Sequence, residues 1–185
     1  MKLLITIFIP ILFIQVVYGQ KSITEFPKYA GKATLFKTSN NSALQKICKR
    51  ISEDFRRVIS RDKAGGVKSA LGNINVYSDK LLCKLSLANY SNVSFEIDFI
   101  RFYLADLKKI KRTVTQEQEL KPVYSYNNEF DRINGNGTQT YVFVLDKFPI
   151  SKDRALFIEV YEKNGSRHQY LKASYAAVYN AQSIH

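Results

Sequence analysis

The sequence predicts an all-β fold, an antiparallel β-sandwich of immunoglobulin-like type with about seven or eight strands, preceded by one amphipathic α-helix. Three observations predict it. From Asn73 onward apolar residues recur with a period of two. Turn clusters such as "YSDK", "NYSN", "NGNGT" and "KFPISKD" punctuate those runs at short intervals. No segment of helical period interrupts them, and short strands without crossover helices close into a sandwich or barrel.

The elements follow in chain order. Met1–Gly19, "MKLLITIFIPILFIQVVYG", has one positive charge at Lys2, an apolar run from Leu3 to Phe13 and small or modest residues before Gln20. That is the pattern of a secretory signal peptide cleaved after Gly19. Pro10 and Gln15 interrupt it short of the ~20 apolar residues that a membrane span needs. Cleavage leaves 166 of the 185 residues, enough for one sizeable core. Residues 20–41 carry Pro27, Gly31 and a polar "KTSNN" run, and read as a linker or arm.

Residues 42–66 read as the helix. Ser42 stands at the N-cap position, and Leu44, Ile47, Cys48, Ile51, Phe55, Val58 and Ile59 form a stripe of helical spacing that Gly65 and Gly66 terminate. Lys46, Lys49, Arg50, Arg56 and Arg57 lie on the opposite face. Such a basic face suits an anionic lipid, a nucleic acid or a partner; the apolar stripe equally suits packing on the chain's own domain.

Residues 67–180 form the sandwich. Its strand-like pieces are "NINVYSD", "LLCKLSLAN", "SFEIDFIRFYLAD", "KRTVTQEQEL", "VYSYN", "TQTYVFVLDKF", "RALFIEVYEK" and "SRHQYLKASYAAVY". Asn164-Gly165 within "EKNGS" predicts a two-residue type I′ hairpin, which needs positive φ at both central residues. The third piece changes phase: Phe95, Ile97 and Phe99 share one face, whereas Ile100, Phe102 and Leu104 take the other. Either a β-bulge slips the phase or the second half is covered on both faces, in an assembly by another chain.

The net charge of +12 is uneven: residues 21–70 hold 12 basic and 4 acidic residues, a net of +8, while residues 71–185 hold 15 and 12, a net of +3. Little supports catalysis. The chain has two histidines, His168 and the terminal His185, so neither a His-rich metal site nor a Ser/His/Asp set assembles. Glu117 and Glu119 share a strand face, as do Glu96 and Asp98, but solvated strands look the same; a hydrolytic reading requires Glu117 or Glu119 close to His168. Most of the 24 Tyr and Phe residues alternate with polar ones, as core positions do, which argues against stacking platforms for nucleic acid. Cys48 and Cys83 could bridge in an oxidising compartment or remain two small buried side chains. N-x-Ser/Thr sequons begin at Asn40, Asn89, Asn92, Asn136 and Asn164.

Four runs stand in a fixed order: "DFIRFY" at 98–103, "KKIKRTVTQEQELKPVYSYN" at 108–127, "VFVLDKFPI" at 142–150 and "IEVYEKNGSRH" at 158–168. They resemble the TraN proteins of conjugative transposons from Bacteroidetes, with a likeness extending from about Val67 to Tyr179. The resemblance implies a periplasmic, non-enzymatic component of a type IV secretion apparatus, without cofactor or metal and peripheral to the outer membrane. It implies a homo-oligomeric ring whose partners are a lipoprotein and an envelope-spanning channel protein. Exposed hairpins provide edges and charges for such docking, which singles out Lys108, Lys109, Lys111 and Arg112 on one hairpin and Asn164, Gly165, Arg167 and His168 on another. The alternative is a stand-alone secreted sandwich that binds an anionic lipid, glycan or nucleic acid through its basic helix.

Overall fold

A computed structural model describes residues 41–54, 57–107 and 116–184. The expected signal peptide and nearly all of the arm lie outside them. α1 (Asn41–Ser52) leads into β1 (Val58–Ala64), β2 (Val67–Tyr77), β3 (Lys80–Asn89), β4 (Phe95–Asp106), β5 (Gln118–Leu120) and β6 (Tyr124–Tyr126). β7 (Arg132–Ile133), β8 (Thr138–Asp146), β9 (Arg154–Glu162), β10 (Gln169–Ser174), α2 (Tyr175–Tyr179) and β11 (Gln182–Ser183) follow. Sheet one has the order β1-β2-β3-β8-β6, with β11 running parallel to β2. Sheet two has the order β10-β9-β4-β5, and β7 also pairs with β4. All the other pairings are antiparallel. The chain is therefore an antiparallel β-sandwich with a helix at its start.

The alternation along each strand builds the core. Leu81, Cys83, Leu85 and Leu87 of β3 face Phe102 and Leu104 of β4 and Leu156, Ile158 and Val160 of β9 across the sandwich. At about 1.5–3 kcal/mol for each fully buried large apolar side chain, this layer supplies most of the driving force for folding.

The helix is shorter than the sequence suggests. It ends at Ser52, and residues 58–64, expected to be helical, are a strand. Val58 and Ile59 are β-branched, which favours a strand over a helix. Gly65 and Gly66 do not stop a helix. Both have positive φ, +53° and +81°, and Ala64 pairs with Val67 around them, which is the two-residue hairpin that needs glycine at both centres. At Asn164-Gly165, where that turn was expected, only Asn164 is left-handed, at +53°. Gly165 is required there for space, because a Cβ would stand 2.1 Å from a Glu162 carboxylate oxygen.

Twelve residues are too few for a helix to persist alone. α1 is held by packing: Leu44, Cys48 and Ile51 bury against Leu82, Val142 and Val144 on the outer face of sheet one. Lys84 on that face donates to the Asp54 carbonyl at 2.5 Å, and burial lowers its pKa. The final strand-like piece stops at Ser174, whose hydroxyl accepts from the Ala177 N–H and caps α2.

Both explanations for the phase change in β4 hold at once. The register slips between Ile97 and Phe99, and beyond it Tyr103 and Ala105 are buried on the outer face while Phe102 and Leu104 are buried on the inner one. The two cysteines do not bridge. Cys83 faces the sandwich core and Cys48 lies under α1 on the opposite side of the same sheet; both are free thiols whose pKa burial pushes up to about 12. Asn89 is no acceptor for a glycan in the folded chain, since its buried amide donates to the carbonyls of Val93, Ile133 and Asn134.

Candidate functional site

The outward face of sheet two carries side chains that a solvated strand face does not need. Register places them in rows. Phe99 lies opposite Tyr161, Arg101 opposite Glu159 and Tyr103 opposite Phe157; Tyr170 and Lys172 of β10 extend the last two rows. The rows are stacked as well as aligned. Phe99 and Tyr161 have ring centroids 4.3 Å apart, Tyr103 and Phe157 5.3 Å, and His168 lies 4.5 Å from Tyr161. The Arg101 guanidinium sits 4.4 Å over the Tyr103 ring.

Glu159 is the centre of this face and is 6% exposed. A carboxylate taken from water must be given donors. Tyr103 donates its hydroxyl at 2.5 Å and Tyr161 at 3.1 Å, while an Arg101 nitrogen lies 3.8 Å away. Arg101 reaches Glu117 at 2.6 Å with its other nitrogen. Burial costs the guanidinium some of its charge preference, but Glu117 outweighs that and its pKa rises. The Tyr103 hydroxyl is held above its ordinary value by burial and then by Glu159; that of Tyr161 is raised by burial and then by its bond with Tyr170. The face therefore keeps its phenols protonated and fixed as donors.

The structure redistributes the residues chosen from sequence. Lys108, Lys109, Lys111 and Arg112 lie outside the described residues, as does Arg56. Asn164 and Gly165 are exposed at the β9–β10 turn. Arg167, expected to meet a partner, is an internal tie: it donates to Glu162, to the Ser94 carbonyl at 2.7 Å and to the Ser91 hydroxyl at 3.0 Å, and covers the Phe95 ring. His168 is half-buried at the edge of the aromatic rows, with an Nδ1 that lacks a hydrogen-bond partner. Lys46, Lys49 and Arg50 are exposed on α1, and Arg57 is exposed just ahead of β1 rather than on a helix.

Glu119 and His168 do not meet. Glu119 lies opposite Tyr103, and His168 stands in the Tyr161 row. Four residues of strand, about 13 Å, and two intervening strands separate those positions. Among the described residues no group of three His, Cys, Asp or Glu side chains could hold a metal ion, and no helix is long and apolar enough to cross a membrane.

Sequence comparison matches residues 41–183, which include every described strand, to a domain of unknown function, DUF4138. The chain belongs to the DUF4138 family. No curated protein matches it. In this DUF4138 domain the aromatic rows were missed from sequence because Phe157, Glu159 and Tyr161 occupy the phase that a half-buried strand gives to solvent. The available signal was that "LFIEVYE" is apolar or aromatic in both phases, the mark of a strand covered on both sides.

Proposed function

We propose that this DUF4138 chain is a non-enzymatic structural subunit of a conjugative transfer channel, docking in the periplasm through its β-sandwich to lipoprotein and envelope-spanning partners in a ring at the outer membrane. The carrying observation is the outer face of sheet two. Rigid Tyr and Phe rows around a buried Glu159 with Arg101 beside it suit the middle of a protein interface, since such side chains bury large areas with little loss of rotamer freedom. The described helices leave that face alone: α1 packs on sheet one, and α2 on β9 and β10 with Val178 in the core. The ordered likeness to TraN proteins supplies the kind of assembly.

The stand-alone alternative relies on the helix. Its apolar stripe is occupied by sheet one, so α1 offers an anionic surface only the charges of Lys46, Lys49 and Arg50.

The test is co-purification from cross-linked envelopes with wild type and with Lys172→Glu, an exposed change at the end of the Tyr103–Phe157 row. The wild type brings down a lipoprotein and a spanning channel protein, identified by mass spectrometry, and the variant loses both while melting at the same temperature. A wild-type monomer without those partners would refute the reading.

A further inference from the structure

Sheet one has a second surface, on the half of its outer face that α1 leaves open. A groove of ≈ 590 Å³ lies there, its floor made of the small residues Ala70, Ser86 and Ala88. Its wall is basic. Arg61 and Lys63 project from β1, and Lys68 from β2 directly opposite Lys63. Like charges directly opposite on neighbouring strands repel. Among the described residues no carboxylate pairs with Arg61, Lys63 or Lys68, and the bordering acid, Asp62, accepts the backbone N–H of Lys63 at 2.8 Å and of Tyr170 at 2.6 Å. Lys68 is steered over the rim by the Tyr90 ring, 4.4 Å from its Nζ. Tyr90 itself is 61% exposed.

We propose that this groove binds an extended acidic peptide segment of a partner protein, with carboxylates at alternate positions. Three features select that ligand. No carboxylate among the described residues pairs with these cations, so an anion gains their attraction and removes their repulsion. Arg61 and Lys63 are two residues apart on one strand face, about 6.7 Å, and an extended peptide repeats its side chains at that same interval. The site is concave with a floor of small side chains, which admits a chain and is set back from a flat bilayer. It lies on the sheet opposite the aromatic rows and does not rest on the channel reading.

The test is fluorescence anisotropy of the full chain with a labelled peptide alternating Glu and Ser, against an isomer with the same glutamates in one consecutive block. The alternating peptide binds, at least tenfold more tightly than the isomer. Arg61→Ser, Lys63→Ser and Lys68→Ser each weaken it about threefold and the triple variant about thirtyfold, the scale of exposed ion pairs acting independently. Lys63→Arg retains binding, and Lys152→Ser, an exposed cation outside the groove, changes nothing. Equal affinity for the two peptides, an undiminished triple variant, or tighter binding to phosphatidylglycerol vesicles or duplex DNA than to the peptide would overturn the proposal.

Discussion

Replacing Arg167 by Ala removes the tie between the β9–β10 turn and the β3–β4 loop. The guanidinium makes hydrogen bonds to the Glu162 carboxylate, to the Ser91 hydroxyl and to the carbonyls of Val93 and Ser94. The carbonyls sit in a loop where water can replace the lost donor, so they count for little. Glu162 counts for most, because its side chain is 9% exposed and Arg167 is its salt-bridge partner. Leaving a buried charge without its partner costs 3–5 kcal/mol in a dry interior, and at this rim the lower end applies, about 3 kcal/mol. That is a large share of a total near 5–15 kcal/mol. Urea denaturation followed by far-ultraviolet circular dichroism reads it as a lower midpoint with an unchanged slope. Glu162→Gln in the Arg167→Ala background then recovers about 1–2 kcal/mol, since a neutral amide is easier to leave unpaired. A loss below 1 kcal/mol, or strictly additive losses for the two changes, refutes the assignment of Arg167 as an internal tie.

Other outcomes follow from the same geometry. The bond from Arg167, ahead of the opposing effect of burial, holds the Glu162 carboxyl below its ordinary value. A depressed native pKa stabilises the fold above the unfolded value, so this contribution is whole above the ordinary glutamate range and is lost as pH falls from there through the lower native value. Acid titration of stability therefore shows a shallower decline in Arg167→Ala than in wild type, and parallel curves contradict it. Leu44→Ala costs about 2–3 kcal/mol by opening the α1 contact with Leu82, Val142 and Val144, and an undisturbed melt would mean that α1 does not hold there. Both thiols resist Ellman's reagent in the native protein and react once it is unfolded in urea, and a reductant leaves the melting temperature unchanged because no bridge exists. Lys63→Thr raises stability by about 0.2–1 kcal/mol by ending the repulsion with Lys68, and a loss of that size means the pair is relieved in the native chain.

The sandwich was legible because apolar residues recur at alternate positions over Leu81–Leu87, Tyr141–Leu145 and Leu156–Val160, and that phase forms the core even though parts of the other phase are buried too. The bulge in β4 was legible for the same reason: a phase that slips by one residue has to be absorbed somewhere. The boundary between α1 and β1 was not. Phe55, Val58 and Ile59 continue the helical spacing in sequence, and what decides against it is tertiary, the pairing of residues 58–64 along the edge of β2. The internal bonds of Arg167 were not legible, because a basic residue next to a turn looks exposed in sequence. Glu162 five positions earlier and Ser91 and Ser94 in a distant loop enclose it only after folding. The groove was hidden for a related reason, since Lys63 and Lys68 are neighbours across a turn that had been read as the end of a helix.

The edges of the two sheets restrict how any partner can attach. An added strand needs a row of free N–H and C=O groups, and proteins avoid accidental assembly by blocking such rows. The outer edge of β10 is blocked here: the Tyr170 N–H is taken by the Asp62 carboxylate at 2.6 Å and the Lys172 N–H by the Ser60 hydroxyl at 3.2 Å, both from β1. Those bonds also turn the free edge of β1 toward β10, closing that side of the sandwich. On the other side the edge strands β5 and β6 are three residues each, and Asn127 donates to the Thr140 carbonyl of β8 just beyond β6. Three residues offer too few ladder bonds to fix a register, whereas the outward faces offer the aromatic rows on one sheet and a basic groove on the other. Among the described residues these edges therefore leave little room for an added strand.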